Sequence, residues 1–366
     1  MGHGASHGPV PQSSAVPART KPLLVGYYGE HNLGDDALLE VLLSQLPPGC
    51  RPCVTARDQA QVQQRFGVTT GDRRSLPAVL AALHCSDALV LGGGSLLQDA
   101  TSFTSLIYYG ALITAARAQG KPVLLWGQGL GPLHRRRSRL LVRALLAMTT
   151  ACSWRDPDSA ALARRLGWRP RPAQVAEAVG SDPVWAVPAQ PWHGRGGPIV
   201  LCWRPVAQLQ GAAWRPWLEA LEQLAPEREV LWLPFHGAQD RGLLARLQRE
   251  GLLSPALAAR SREVTAAQPG DAIAVAAAAG LVLAMRLHGL ILAAASGAPT
   301  AALSYDPKVT AAAAALGCPC ASLDQPPPPD LPAQWQACLD RPPASARLQQ
   351  LRIATNPHRA LLDLLR

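Results

Sequence analysis

Short apolar runs alternate with helical patterns from Pro22 onward, and this alternation constrains the fold more than any other feature of the chain. Each run has the length of a buried strand, and helical spacing of apolar residues follows it. Parallel strands need such crossovers, which are right-handed and cover both faces of a sheet. The pattern therefore predicts α/β domains built on parallel sheets. The candidate strands are 23–26, 52–55, 88–91, 122–126, 151–154, 199–203, 230–233, 281–285 and 300–304, and the candidate helices of the first half are 36–46, 75–83, 106–119, 138–148 and 157–166.

Length and local composition divide the chain. Its 366 residues suit two domains, each able to bury a core. Residues 1–20 are rich in Gly, Pro, Ser and His without an apolar h-region, which predicts a disordered leader and not a signal peptide. A Pro-, Trp- and Gly-rich stretch at 188–198 has the composition of a linker. We therefore assign an N-terminal domain to 21–190, a C-terminal domain to 191–325, and a Pro-rich break with a C-terminal helical tail, a helix over 345–366, to 326–366.

Composition predicts a globular cytoplasmic protein. Apolar residues make up 48% of the chain and charged residues 16%, and no apolar run approaches the ~18 residues of a membrane span. The net charge of +10 is weak evidence for a nucleic-acid partner, because all but three of the 35 cationic residues are arginines and such a bias often follows genome composition. The eight cysteines are scattered, and no metal site is predicted from them.

One basic run stands out, at residues 134–139. It contains Arg135, Arg136, Arg137 and Arg139. Such a run can meet a phosphate-rich ligand or lean on an anionic membrane surface. A solvated helix start has the same appearance, and the sequence leaves both interpretations open.

In the first half, three glycine-rich segments follow candidate strands, at 26–37, 91–99 and 126–132. In the first of them Asp35 follows Gly34 directly, which makes it the better candidate for a general base, whereas Asp36 can cap its own helix. In the second, Gly93, Gly94 and Ser95 can present backbone N–H groups to a ligand, although glycine also serves close packing. Since the carboxyl ends of parallel strands share one edge of a sheet, the three segments predict a common binding edge.

Cations recur at the ends of the other candidate strands. The densest group is the segment Arg286, Leu287 and His288, which contains two basic side chains. It lies where a strand gives way to a helix, the position at which α/β folds bind anions. A solvated, capped turn is the alternative for any one of these positions. Together they predict a pocket for a small polyanion, with His288 able to exchange a proton near neutral pH. The remaining members are Arg155, Arg204, His236 and Lys308.

Taken in order, these motifs resemble the polysaccharide pyruvyl transferase family, in its CsaB-like bacterial branch. The resemblance extends over residues 22–320. It is carried by Gly26-Tyr-Tyr-Gly, Asn32-x-Gly-Asp-Asp-Ala37, Leu91-Gly-Gly-Gly-Ser95, Trp126-Gly-Gln-Gly-x-Gly-Pro132, Trp154-Arg-Asp156, Ser181-Asp-Pro183, Pro234-Phe-His, Gln239-Asp240, Arg286-Leu-His-Gly289 and Tyr305-Asp-Pro-Lys308.

The resemblance implies a glycosyltransferase-B-like architecture of two Rossmann-like domains with parallel sheets and an interdomain cleft. It implies transfer of pyruvate from phosphoenolpyruvate, as donor substrate and without a cofactor, onto a sugar as a ketal. By motif, Arg155, Arg286, Leu287, His288 and Lys308 would line the donor pocket, with His288 as the acid and Asp35 as the base. The acceptor of this branch is a lipid-linked cell-wall glycan intermediate, which would place the protein at the inner face of the membrane.

Two other functions remain open from the residues alone. A nucleotide-sugar-dependent glycosyltransferase of the same fold could use the glycine-rich segments with Arg286 and Lys308 to hold a diphosphate. A non-catalytic glycan- or nucleotide-binding protein could use the same cleft without chemistry. Titration calorimetry separates the first from a pyruvyl transferase, which should bind phosphoenolpyruvate and ignore nucleotide-sugars as donors. Release of phosphate from phosphoenolpyruvate in the presence of a glycan acceptor separates the second.

Overall fold

Two parallel sheets form the framework of the protein, seen in a computed structural model that describes residues 20–100, 102–170, 178–188 and 190–366. The leader predicted for 1–20 therefore lies outside the described residues, apart from Thr20. The strands are β1 Pro22–Tyr28, β2 Cys53–Ala56, β3 Thr69–Asp72, β4 Ala88–Leu91, β5 Gly94–Leu97, β6 Val123–Leu130, β7 Ala151–Trp154, β8 Ala178–Val179, β9 Ile199–Cys202, β10 Val230–Trp232, β11 Ser261–Glu263, β12 Leu281–Ala284, β13 Thr300–Ser304 and β14 Cys320–Ser322.

Helices connect the strands and cover the faces of both sheets. Three short 3-10 helices lie at Pro183–Ala186, Gly211–Trp214 and Asp363–Leu365. The α-helices are α1 Leu33–Gln45, α2 Gln59–Phe66, α3 Leu76–His84, α4 Phe103–Ala118, α5 Arg136–Met148, α6 Pro157–Arg165, α7 Arg215–Gln223, α8 Gly237–Asp240, α9 Leu243–Arg249, α10 Pro255–Ala259, α11 Pro269–Ala277, α12 Leu287–Ala295, α13 Pro307–Leu316, α14 Leu331–Cys338, α15 Ser345–Ile353 and α16 Asn356–Leu362.

Each sheet is parallel, and its first strand lies in the interior: the next strands are added on one side of it and the later strands on the other. The N-terminal sheet has the order β3-β2-β1-β4-β6-β7-β8, and β5 pairs with β6 beside this path. The C-terminal sheet has the order β11-β10-β9-β12-β13-β14. Because β1 and β9 lie between strands reached in opposite directions, a crevice opens at their carboxyl ends, where such sheets bind ligands.

All nine strands expected from the sequence are present, and β4, β7 and β13 have the expected bounds. The sequence missed β3, β5, β8, β11 and β14. These strands are two to four residues long, and β3 and β11 are polar strands at the sheet edges, with none of the apolar runs that mark a buried strand. They obtain their pairing from the neighbouring strand and not from local preference.

The two domains share one apolar core. Helix α1 packs against α11 and α12 of the other domain, so that Leu38 and Leu42 belong to the same buried cluster as Ile273 and Leu290. All four side chains are at most 2% exposed. An interface of this kind is held by the hydrophobic effect and favours a fixed arrangement of the two sheets.

The C-terminal tail is not the single helix expected over 345–366. It consists of α15, α16 and the last 3-10 helix, because Thr355 ends one segment and Pro357 starts the next. α16 crosses back to the N-terminal domain and packs on β6 and β7. Its His358 is fully buried, with Nδ1 2.9 Å from the Ser153 hydroxyl and Nε2 2.7 Å from the backbone oxygen of Ser181.

No helix in the described ranges is both long enough and apolar enough to cross a membrane.

Replacing His358 tests whether the tail holds the N-terminal sheet. His358→Ala removes a buried ring and its two hydrogen bonds, and we expect the free energy of unfolding to fall by about 2–4 kcal/mol. Arg359→Ala, one residue along the same helix and exposed, is the control and should change it by no more than about 0.5 kcal/mol. Urea denaturation measures both. Equal stability of the two variants would contradict a structural role for the tail.

Candidate active site

The candidate site lies where the carboxyl ends of the two sheets meet. A backbone bridge joins the β1–α1 loop to the β10–α8 loop, pairing Asn32 with His236. The N–H of Leu33 donates to the oxygen of Phe235 at 2.9 Å, and the N–H of Gly237 donates to the oxygen of His31 at 3.0 Å. Side chains that follow β1 and β10 are thereby brought together.

Asp35 lies in the first turn of α1, at the centre of this region. Asn32 caps the helix: its side-chain oxygen accepts from the N–H of Gly34 at 3.1 Å, and its amide nitrogen donates to the Asp35 carboxylate. Burial raises the pKa of Asp35 to about 6, and the nearby charges of His288, Lys308, Arg286 and Arg73 limit the rise. A carboxylate with a pKa near neutrality and cations around it is suited to act as a general base.

His288 is the second residue of α12, and it packs against α1 of the other domain. A Cβ at position 34 would lie 2.1 Å from its Nδ1, so only glycine allows this approach. Its Nε2 lies 3.5 Å from Oδ2 of Asp182. Burial alone would raise the pKa of Asp182, but His288, Arg155 and the N–H of Val184 outweigh it and lower the pKa to about 2. The Asp182 carboxylate is therefore ionised beside the ring of His288.

Arg155 follows β7 and shares the same carboxylate. Its Nη1 lies 3.5 Å from Oδ2 of Asp182, and its Nη2 donates to the Ser95 hydroxyl at 2.9 Å. The side chain is 8% exposed and passes close to Gly129, where a Cβ would lie 2.6 Å from Nε. Arg155 and His288 thus flank one buried carboxylate, one from each domain.

Arg286 directly precedes α12 and forms a bidentate ion pair with Asp240, whose side chain is fully buried. Asp240 also accepts the N–H groups of Phe235 and His236 at 3.1 and 2.9 Å. The side-chain oxygen of Gln239 accepts from Arg286 and from Arg204, both at 3.0 Å. Two guanidinium groups are therefore held side by side at the edge of the C-terminal sheet.

Lys308 lies in the first turn of α13 and is the most exposed of these cations. Its Nζ is 3.2 Å from Oδ2 of Asp306, the residue that caps the same helix, and its side chain is 43% exposed. Its charge nevertheless acts on Asp35, together with that of Arg286. The charges of both cations therefore lower the pKa of the same carboxylate.

A cleft of about 830 Å³ lies on the other side of the interdomain bridge. Loops after β1 and β2 form one wall, and loops after β10 and β11 form the other. On the first wall, Arg57 pairs with the buried Glu30 at 2.8 Å. The residues that line the cleft include Glu30, His31, Asp58, Phe235, Arg241 and Thr265.

Comparison with known protein families identifies the chain. The profile of the polysaccharide pyruvyl transferase family matches residues 32–307, three quarters of the sequence. The chain belongs to this family. A comparison with curated proteins finds no significant match.

Solved structures show the fold that this pyruvyl transferase family member adopts. It resembles a putative UDP-N-acetylglucosamine 2-epimerase from Listeria monocytogenes at a TM-score of 0.58 and 13% identity, covering 94% of each chain. It also resembles MurG of Acinetobacter baumannii at a TM-score of 0.53 and 14% identity, covering 94% of this chain and 99% of that one. The expected glycosyltransferase-B-like fold of two Rossmann-like domains is confirmed.

Some of the predicted binding residues of the pyruvyl transferase have packing roles. Gly93 is buried, and a Cβ there would lie 2.7 Å from Leu38, while Gly94 takes a φ of +101° where it enters β5. These contacts favour close packing, the alternative that the sequence left open. His236 caps α8 with its Nδ1 and is 6% exposed, and Leu287 is 9% exposed within the shared core.

The sequence did not single out three residues that organise the site. Asp182 and Asp240 hold the cations, and Arg73, at the end of the unpredicted strand β3, adds another charge near Asp35. Asp182 and Asp240 stand inside the motifs that carried the family resemblance, which was the available signal. Asp36 is not the helix cap that its position allowed: Asn32 takes that role, and Asp36 lies 3.4 Å from Arg65.

Gly34→Ala tests the contact between α1 and His288. The new methyl group must displace an imidazole that is packed against it, so we expect kcat/KM for pyruvyl transfer to fall by about 10²-fold, as for a small misplacement of catalytic groups. Gly270→Ala on α11 is the control and should leave kcat/KM unchanged, because no other atom would lie within 4 Å of the new Cβ. Unchanged activity in the Gly34 variant would show that His288 does not need this approach.

Proposed function

We propose that this protein transfers pyruvate from phosphoenolpyruvate onto a sugar of a cell-wall or surface polysaccharide precursor, forming a ketal. The observation that carries the proposal is the Asp35 carboxylate, whose pKa of about 6 is set by burial and by the charges of His288, Lys308 and Arg286 from the other domain. A base, an acid and several cations meet in one crevice, which is what this donor and a sugar hydroxyl require.

The donor carries two anionic groups. Phosphoenolpyruvate has a carboxylate and a phosphate, and charge-assisted hydrogen bonds from guanidinium and ammonium groups are the strong means of holding both. Lys308, Arg286 and Arg73 carry the charges that act on Asp35, and Arg155 shares Asp182 with His288. Arg204 lies beside Arg286 through Gln239. Asp182 and Asp240 keep two of these cations in place before any ligand binds.

The chemistry follows from these groups. Protonated His288 gives its proton to the methylene carbon of the donor, and the adjacent carbon gains positive character. A sugar hydroxyl attacks that carbon as Asp35 takes its proton. The carbon–oxygen bond to phosphate then breaks, and a second hydroxyl of the same sugar closes the ketal. Of the two hydroxyl protons, one restores His288 and the other leaves with phosphate.

The 830 Å³ cleft beside the bridge offers room for the acceptor, since its walls come from both domains and it adjoins the β1–α1 loop, which leads into the first turn of α1 with Asp35. Its lining mixes carboxylates, cations and amides, a combination that suits sugar hydroxyls. By resemblance the acceptor is a lipid-linked glycan intermediate, which would have the protein work at the inner face of the membrane.

The direct test incubates the protein with phosphoenolpyruvate and lipid-linked saccharides of cell-wall synthesis. We expect release of inorganic phosphate and a matching pyruvyl ketal on the acceptor by mass spectrometry. Titration calorimetry should show binding of phosphoenolpyruvate. Binding of nucleotide-sugars as donors, with transfer of their sugar and no phosphate from phosphoenolpyruvate, would instead establish a glycosyltransferase, and binding of glycans without any turnover would establish a non-catalytic protein.

Lys308→Gln removes the most exposed cation of the site. We expect kcat/KM for phosphoenolpyruvate to fall by about 10²-fold, the effect of removing one charge-stabilising donor, with the free energy of unfolding changed by no more than about 0.5 kcal/mol. Lys21→Gln makes the same chemical change just before β1, at the amino edge of the N-terminal sheet, and should leave kcat/KM unaltered. Equal kinetics for the two variants would show that Lys308 does not bind phosphoenolpyruvate.

The pKa of Asp35 predicts an acidic limit to activity. Asp35 must be ionised to accept a proton, so kcat/KM should fall about tenfold for each pH unit below about 6. Lys308→Gln removes a charge that lowers this pKa, so the limit should move to higher pH in that variant. Asp36→Asn is the control, because burial also raises the pKa of Asp36, to about 7. If the Asp36 variant lost the acidic limit, the limit would come from Asp36 and not from Asp35.

A further inference from the structure

Helices α4 and α5 present a basic and apolar surface at the edge of the N-terminal domain. Leu140 on α5 is 68% exposed and Ile107 on α4 is 48% exposed, although both are large apolar side chains. Arg137 lies over the ring of Phe103, 4.1 Å from its centroid, and joins the two helices. We name Phe103, Ile107, Arg136, Arg137 and Leu140 the α4–α5 surface.

The charge of this part of the chain is of one sign. No Asp or Glu occurs between Asp99 and Asp156, a stretch that contains both helices and the whole basic run. Asp99 itself is buried, and it accepts the N–H groups of His134 and Arg135 at 2.7 and 2.9 Å. The arginines at the start of α5 therefore have no exposed carboxylate within this stretch to neutralise them.

Leu140 lies on the outer face of α5. The buried residues of the helix are Ser138, Val142, Leu145 and Leu146, and at 100° per residue Leu140 falls on the opposite side, between Arg136 and Arg137. An exposed leucine flanked by arginines is the arrangement of interfacial helices, in which the apolar side chain enters the acyl boundary and the cations meet anionic headgroups. A nucleic acid would use the arginines but not the leucine and isoleucine.

The α4–α5 surface also lies at the carboxyl edge of the N-terminal sheet, the edge at which the candidate site lies. α4 follows β5 and α5 follows β6, so the first turns of both helices start from the carboxyl edge of parallel strands. Ser95 on β5 contacts Arg155 of the site, and the N–H of Gly131 donates to the oxygen of Leu97 at 3.0 Å between the two loops. A bilayer that contacts this surface would face the same edge as Asp35.

We propose that the α4–α5 surface binds the surface of an anionic lipid bilayer and holds the site toward it. The use of this contact, to reach an acceptor anchored in the membrane, rests on the proposed function; the binding itself does not. Arg136 and Arg137 supply the electrostatic attraction, and Leu140 and Ile107 supply the apolar insertion.

Sedimentation of the full chain with sucrose-loaded vesicles tests the proposal. We expect binding to vesicles of phosphatidylcholine with about one third phosphatidylglycerol, weak binding to pure phosphatidylcholine, and loss at high salt. Arg136→Gln with Arg137→Gln should weaken binding about thirtyfold, from ~1 kcal/mol for each cation near the surface. Leu140→Ser should weaken it severalfold, because that side chain contributes apolar burial only.

Matched controls make the same changes elsewhere. Arg249→Gln with Arg359→Gln removes two exposed arginines outside the α4–α5 surface, and Ile353→Ser replaces another exposed apolar side chain, 56% exposed on α15. Both control variants should bind the vesicles as strongly as the unaltered protein does. Equal binding of all variants, or none by the unaltered protein, would overturn the proposal.

The two proposals fail separately. Leu140→Ser with full vesicle binding, combined with arginine variants that lose binding to single-stranded RNA, would show a general polyanion site and refute a membrane surface. Variants that lose vesicle binding should keep turnover with a short water-soluble acceptor, since none of their residues belongs to the site. Vesicle binding by a protein without pyruvyl transfer would leave the surface standing and refute the proposed function.

Discussion

The contact between the first turn of α1 and His288 is the interaction on which the site depends. Gly34 has no side chain, and the imidazole from the C-terminal domain occupies the space that a Cβ would fill. Asp35, the next residue, is thereby placed within the field of His288, Arg286 and Lys308. The apolar packing of α1 on α11 and α12 holds the two domains at this separation, so hydrophobic burial stabilises an electrostatic arrangement.

Two buried carboxylates determine how the cations are presented. Asp182 is shared by Arg155 and His288, and Asp240 binds Arg286 while accepting two backbone N–H groups of its own loop. A desolvated cation without a partner would be costly, so the carboxylates make it possible to bury these charges near the crevice. The result is a set of donors that need little reorganisation when an anion arrives.

The C-terminal tail contributes to the same arrangement from behind the sheet. His358 contacts Ser153 at the end of β7, and its other ring nitrogen contacts the backbone of Ser181, next to Asp182. The hydroxyl of Ser181 donates to the backbone oxygen of Leu351 in α15. Because Asp182 lies in a segment between the two sheets, these contacts secure a residue that neither sheet holds by itself.

Local sequence determined the parallel α/β architecture and the positions of Asp35, Arg155, Arg286, His288 and Lys308 at strand ends, because periodicity and strand-to-helix junctions are written in neighbouring residues. Tertiary structure alone decided that Asp182 and Asp240 would pair with those cations, that Gly93 would pack on Leu38, and that the tail would break and return to β6 and β7. Pairing across dozens of residues depends on how two sheets and a shared core come together in space. The residues next to Asp182 or Asp240 in the sequence therefore do not show which cation each carboxylate will pair with.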